Sequence, residues 1–495
     1  MREIKQQDYI YGTAPFEHQG KGFLMSRDEE AYALLMEQGT GKTKVGIDTG
    51  AWLYITGKID AIIIVAPNGV HENWEKKEIP THMPEYVTYK ARTYKAGMGK
   101  KATAKFNEVF DPKFDGLRIV AFNIDCFSRK SGRELPKKFL NNFRCLFILD
   151  ESSRIKNKSA NRTKAIVNIG KQARYRRILS GTPVTQSPMD VYTQFEFLDP
   201  EILGFTSYYS FRGHYGLLET NYRLNPKTGK REPYQVVTGY QNLDKLQQVI
   251  KSHSFRVLKK DCLDLPDKIY QTRTVKLSKE QQTVYNDLCD NLYSEFAGTE
   301  VSATLVLTKM LRLQQITGGF VTDDAKKNIQ IGTTNPKLDE LLAITEEISS
   351  KAIIWARFVP EIEAITEALR AEYGEESVVT YYGATKKDER YESVKRFQDD
   401  PTAKFFVGNP VSGGIGLTLT AAQYMIYYSN DFNLETRLQS EDRAHRIGQK
   451  ENVTYIDLIA EGTIDTTVVA ALLSKKNLAD IVTGDKILEV VKPKA

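Results

Sequence analysis

The sequence predicts an α/β protein of two parallel-sheet lobes, and three observations carry that expectation. Short continuous apolar runs recur and stop abruptly at Pro, Asp or Gly, as buried parallel strands do. Amphipathic helical segments such as PEIEAITEALRAEYG separate them, the alternation that builds parallel sheet. A glycine-rich stretch, MEQGTGKT at 36–43, stands immediately before a helical pattern, where a phosphate-binding loop would lie.

The bulk properties set the frame. A chain of 495 residues is too long for one ordinary domain and suggests about three. With 41% hydrophobic and 27% charged residues it has the composition of a water-soluble globular protein with large cores. A net charge of +6 is compatible with a polyanionic partner without requiring one. Cys126, Cys145, Cys262 and Cys289 are widely spread with no zinc spacing, so they read as reduced thiols of a cytoplasmic protein. The N-terminal MREIKQQDYIYG has no apolar core, and no run of about 18 apolar residues occurs, so neither signal peptide nor membrane span is expected.

Taken in order, the chain opens on APFEHQGKGFL, where the Gln19 amide can donate and accept at once, as an adenine edge requires. In the loop that follows, Gly39 and Gly41 allow a sharp turn that aims backbone N–H groups at an anion, with Thr40 between them. Lys42 supplies a charge for the β- and γ-phosphates, and the Thr43 hydroxyl suits Mg²⁺. The segment KVGIDTGAWLYI then opens as a helix whose positive end faces the same phosphates. AIIIVAP at 61–67 is a buried strand, and Asn73 and Trp74 just beyond it are candidates to meet a nucleic-acid backbone, although a Trp beside a helix start is more often packing. Residues 95–105, KAGMGKKATAK, read as a solvated basic loop, and LRIVAFN at 117–123 as another strand.

CLFILDESSRIKN at 145–157 is the sharpest signal after the loop. An apolar strand closing on Asp150 and Glu151 puts two carboxylates at the edge where open α/β sheets hold their ligands. Asp150 can hold Mg²⁺, and Glu151 can orient and deprotonate an attacking water. RRILSGTP at 176–183 is a further strand, ending in Ser180 and Thr182. From about residue 200 the chain turns aromatic, basic and irregular, which reads as an insertion bridging two domains. There Tyr208, Tyr209, Phe211 and Tyr215 are assigned to packing rather than to nucleic acid, by roughly two to one.

A second α/β series begins near 270. It opens on a helix capped by Ser278 and runs through strands at 352–358, 378–383, 404–410, 424–429 and 453–460. VSGGIGLTLTAA at 411–422 offers Gly413, Gly414 and Gly416 for close approach to a phosphate. QSEDRAHRIGQK at 439–450 places Arg443 and Arg446 three apart, on one face if helical, as a cation pair for a γ-phosphate. The expected division is 1–200, 201–270 and 271–495.

At this point the chain resembles the superfamily 2 helicase-like ATPases, and specifically the SWI/SNF-type DNA translocases. FEHQ looks like the family's adenine-reading element and MEQGTGKT like its phosphate loop, in which the first glycine is commonly absent. LDESSRIKN, LSGTPVTQSPMDVYTQFEFLDPEILG, VSGGIGLTLTAA and QSEDRAHRIGQK follow in the family's order. The resemblance implies two RecA-like lobes of the P-loop NTPase fold, with ATP and Mg²⁺ held between them. It implies that Ser180 and Thr182 couple the lobes, that Gln439 belongs to the second lobe's coupling motif, and that Arg443 and Arg446 complete the site. It implies double-stranded or branched DNA as the partner of a monomer, and no membrane. Ser153 stands where the family has a histidine linking nucleotide to the Ser-Gly-Thr element, which implies altered coupling. Asn409 and Thr418 also depart from the family's usual Ser and Asn. Without chromatin-reading modules, the chain looks like a compact bacterial or bacteriophage member.

The leading expectation is therefore an ATP-dependent translocase on duplex DNA. A strand-separating or branch-migrating helicase shares the same core, and a nucleotide-binding DNA module without turnover is the non-enzymatic alternative.

Overall fold

The computed structural model describes residues 9–225, 229–296, 303–323, 327–385, 387–411 and 417–485. The described chain forms two compact units. Of the described residues, the first gathers those within 9–218, 237–264 and 476–485, and the second those within 219–236 and 265–475.

The first unit is built on a seven-stranded parallel sheet. Its strands are β1 (Ala31–Met36), β2 (Ala61–Ala66), β3 (Tyr89–Thr93), β4 (Leu117–Asn123), β5 (Cys145–Asp150) and β6 (Tyr175–Leu179). A two-stranded antiparallel ribbon follows, β7 (Gly216–Leu224) and β8 (Arg231–Tyr240), and then the last strand of the sheet, β9 (Ser254–Val257). The order across the sheet is β3-β4-β2-β5-β6-β1-β9, and every pairing is parallel. Every residue of β2 and β5 is buried, because helices cover both faces and leave no polar side to the strands. One face packs Ile63, Val65, Phe147 and Leu149, and the other Leu34, Ile62, Ile64 and Ile148.

Two stretches differ from expectation. Residues 100–107 form a helix rather than a loop, since Phe106 anchors one face of it in the core while Lys100, Lys101 and Lys105 stay in water. The aromatic segment after 200 is also regular: helix Tyr208–Tyr215, then the β7–β8 ribbon. Phe211 and Tyr215 are core residues, in keeping with packing, whereas Tyr209 is 67% exposed and its ring lies under the Lys158 ammonium at 3.6 Å. β9 was not legible in the sequence. Four residues, SFRV, carry no periodicity of their own and become strand by pairing with β1.

The second unit holds a six-stranded parallel sheet, ordered β10-β17-β16-β13-β15-β14. Its strands are β10 (Lys268–Val275), β13 (Lys351–Trp355), β14 (Val378–Tyr381), β15 (Phe405–Gly408), β16 (Ala422–Tyr427) and β17 (Val453–Ala460). A small antiparallel pair, β11 (Phe320–Thr322) and β12 (Asn328–Gln330), lies outside it. The helix Lys279–Phe296 is capped as expected at Ser278. Its reciprocal partner is Gln281, whose backbone N–H donates to Ser278 Oγ at 3.2 Å while its side-chain oxygen accepts from the Ser278 N–H at 3.1 Å. Two parallel three-layer lobes are the RecA-like arrangement the resemblance implied. The terminal helix Ile464–Thr483 begins in the second unit, and its residues from Lys476 on belong to the first, where Val482 is fully buried. No helix among the described residues is long and apolar enough to cross a membrane.

Candidate nucleotide site

Four adjacent strands, β2, β5, β6 and β1, deliver the candidate site from their C-terminal ends. β1 runs directly into the glycine loop. Gly39 and Gly41 take φ +88° and +90°, values that a side chain resists, and Gly41 caps helix α2 (Lys42–Ile55). The loop is tied by the Thr40 hydroxyl, which donates to the Glu37 carbonyl at 2.7 Å. Helix α1 (Glu17–Ser26) closes over it. Gln19 Nε2 donates to the Thr40 carbonyl at 3.1 Å, His18 Nε2 lies 2.7 Å from the same oxygen, and Gln19 Oε1 accepts the Phe16 N–H at 3.1 Å. A Cβ on Gly41 would overlap the Gln19 amide nitrogen. Gln19 thus braces the loop, and its amide keeps one hydrogen and one lone pair beyond these bonds.

β5 ends in the two carboxylates. Glu151 has φ +50°, a left-handed conformation rare outside glycine, and strain of this kind collects at functional sites. Its Oε1 lies 3.5 Å from Lys42 Nζ, and both side chains are less than one-tenth exposed. Asp150 is buried behind it. The Glu151 backbone N–H donates to its Oδ1 at 3.0 Å and Trp74 Nε1 to its Oδ2 at 2.9 Å. Burial and the neighbouring Glu151 push the Asp150 carboxyl up, while the Lys42 ammonium and the two hydrogen bonds oppose that shift.

The loop after β6 supplies Ser180, fully buried, whose Oγ accepts the Thr182 N–H at 3.1 Å. It is joined to the loop after β5 through Gln194, which accepts from the Ser152 hydroxyl at 2.6 Å and donates to the Pro183 carbonyl at 2.7 Å. Ser153 is buried, and its Oγ lacks a hydrogen-bond partner among the described residues. Nothing in the local sequence marks Gln194, a helix residue 42 positions from Ser152 and 11 from Pro183, as the link between these loops. Arg256 was missed too. Its Nη1 donates to the Leu35 and Gly181 carbonyls, both at 3.1 Å, and its guanidinium grips Asp485 at 2.6 and 3.0 Å.

Two expectations are corrected. Trp74 does not face nucleic acid: it is 1% exposed and bonded to Asp150, whereas Asn73 beside it is exposed. Arg443 and Arg446 do not share a helix face, because the helix Leu434–Glu441 ends before them and turns follow. Tertiary bonds outweigh the local pattern there. Arg443 Nη2 donates to the Pro410 carbonyl at 2.6 Å with its guanidinium 4.7 Å from the Trp355 ring, and Arg446 Nη1 donates to the Leu417 carbonyl at 3.2 Å. Burial lowers the Arg443 pKa to about 10, still well above neutrality, and its Nη1 has no hydrogen-bond partner among the described residues. Gln439 is half-buried on the same helix and donates to Glu435 at 3.3 Å. Gly413, Gly414 and Gly416 lie outside the described residues.

The order of these motifs along the chain agrees with a profile match that decides the family. A profile described as SNF2-related domain matches residues 16–319, and one described as Helicase conserved C-terminal domain matches 334–448. This chain belongs to the SNF2-related family. Among curated relatives, the putative ATP-dependent helicase/translocase YwqA of Bacillus subtilis is 26% identical, covering 97% of this chain and 50% of its own. The DNA annealing helicase and endonuclease ZRANB3 of Mus musculus is also 26% identical, over 93% of this chain and 40% of its own. The SNF2-related chain thus spans about half the length, or less, of these relatives. Among solved structures, the Sulfolobus solfataricus SWI2/SNF2 ATPase core in complex with dsDNA matches over 96% of this chain and 95% of its own, with TM-score 0.41 and 23% identity.

Proposed function

We propose that this chain is an ATPase motor that couples ATP hydrolysis to movement along double-stranded DNA. One observation carries the reading: the buried Lys42–Glu151 pair sits at a positive-φ glycine loop, with Asp150 next to Glu151 at the end of β5. Lys42 and the loop's N–H groups bind the β- and γ-phosphates. Glu151 orients the attacking water and accepts its proton. Arg443 and Arg446 stabilise the transferring charge, a role that rests on the motif in which they stand.

Mg²⁺ fits the donor set. Such an ion is held mainly by water and phosphate and needs only one or two protein groups. Thr43 and Asp150 would hold it; each oxygen of Asp150 carries one protein hydrogen bond and keeps a lone pair. When bound, the ion neutralises phosphate charge.

DNA as the track is supported by the names of the relatives and by exposed basic residues, Lys76 and Lys77 beside Asn73 and Lys100, Lys101 and Lys105 on one helix. Contacts of this type go to phosphate and are sequence-tolerant and salt-sensitive. The test is ATP hydrolysis by wild type and Glu151→Gln, alone and with duplex or single-stranded DNA. Duplex-stimulated turnover abolished by the substitution supports a translocase. Stimulation by single strands alone points to a strand-separating helicase, and no turnover above the variant background ends the motor reading.

A further inference from the structure

Trp74 occupies an unusual piece of backbone. After β2 the α-helical residues Val70–Asn73 give way to a π-helical turn, Trp74–Glu78. Such widened turns are rare and frequently mark functional sites. The turn separates two environments. Asn73, Lys76 and Lys77 face water, while Trp74 is fully enclosed.

The enclosed indole reaches in two directions. Its far edge lies against helix α2, with Cη2 3.6 Å from the position a Cβ on Gly46 would take, one turn beyond Lys42. Its Nε1–H points the other way and donates to Asp150 Oδ2 at 2.9 Å. With the Glu151 N–H on Oδ1, this fixes both oxygens of the carboxylate and settles which lone pairs remain outward. Tryptophan only donates, so it cannot compete for the ion itself.

We propose that Trp74 is a positioning residue for the ion-holding carboxylate, its N–H setting the orientation of Asp150 against the phosphate helix. This rests on the reading of Asp150 as the Mg²⁺ carboxylate. The plainer alternative is that Trp74 only fills the core and Asp150 merely satisfies a buried indole N–H. Packing and donation can be separated chemically, because benzothienylalanine has the indole's shape with sulfur in place of N–H.

The experiment introduces benzothienylalanine at position 74 of the full chain by amber suppression, with Trp74→Phe as a second variant. Free Mn²⁺ is counted by electron paramagnetic resonance during titration of each protein with ADP present. ADP affinity without metal and the Mg²⁺ dependence of kcat and KM for ATP are measured alongside. The expected result is a loss of Mn²⁺ affinity of about 10–100-fold, the usual cost of removing a hydrogen bond behind a metal ligand. The Mg²⁺ midpoint for hydrolysis should rise in parallel, with metal-free ADP affinity unchanged. Equal Mn²⁺ binding by wild type and both variants overturns the proposal and leaves Trp74 as packing. A wild type that neither hydrolyses ATP nor gains Mn²⁺ affinity with ADP overturns the underlying reading of Asp150, and this proposal with it.

Discussion

Lys42 and Glu151 form a buried ion pair, 3.5 Å apart, between the first residue of helix α2 and the residue that follows β5. Removing one partner of such a pair strands the other charge away from water. Lys42→Ala should therefore destabilise the nucleotide-free protein by about 3 kcal/mol. Lys42→Ala/Glu151→Gln should recover part of that loss, because Glu151 is no longer an orphaned charge, while the buried Asp150 still lacks the Lys42 ammonium. Urea unfolding of the four proteins in the cycle measures the coupling, and strictly additive losses would remove the pair from the account of stability.

Gly41 combines a backbone constraint with a steric one. Gly41→Ala should cost about 1–2 kcal/mol for the left-handed conformation, plus the overlap with the Gln19 amide. Adding Gln19→Ala should relieve the second part and leave the first. Thermal unfolding of both single variants and the double variant separates the two, and no relief in the double variant would show that Gln19 does not press on the loop.

Gln194 is fully buried and serves Ser152, Pro183 and the Asp190 carbonyl together. Gln194→Leu keeps the volume and strands three polar groups, each worth about 1–3 kcal/mol when left buried and unpaired. A clear fall in the urea midpoint is expected, and a fall in ATP turnover at temperatures where the variant is still folded. Unchanged turnover would mean that the two loops it joins act independently.

The second lobe contains a carboxyl tuned for a pH test. Burial pushes Glu361 up to about 7, against the pull of Lys337 and hydrogen bonds from Ser429 and the Phe358 N–H, while Asp465 pushes it further up. In the unfolded chain it titrates near 4.5. Between those values the folded protein keeps a proton that the unfolded chain has lost, so this group makes stability fall as pH rises, and the loss is complete above about pH 7. Glu361→Gln should remove that slope, changing the difference from wild type by about 2–3 kcal/mol across the interval. Urea unfolding from pH 5 to pH 8 reads it out, and parallel declines in both proteins would locate the proton elsewhere.

What the sequence disclosed follows a physical division. β2, β5 and five of the six strands of the second lobe's sheet were legible because burial demands apolar runs, whereas the mostly exposed β10 was not, and Asp150 and Glu151 stood out as the polar residues that end such a run. The glycine loop was legible because few residues tolerate its backbone. Trp74 was left between packing and nucleic-acid contact because its neighbours are polar, and no local pattern tells that one residue of a helical turn faces inward. Arg443 and Arg446 were given a shared helix face by spacing alone, whereas bonds to Pro410 and Leu417 pull them out of it. Those partners lie about thirty residues away in the chain, a range at which periodicity carries no information.

The grip of Arg256 on Asp485 has a consequence for biosynthesis. Arg256 holds the carbonyl of Leu35, at the end of the strand that leads into the glycine loop, yet the carboxylate it grips is more than two hundred residues downstream. Val482, which fills the same lobe's core, is equally late. On the ribosome the first lobe must wait, lacking both groups, while the second is translated. Its folding is completed only by residues translated after the second lobe, so a nascent chain stalled before Lys476 should hold the first lobe in a looser, more protease-sensitive form than one that includes Val482 and Asp485.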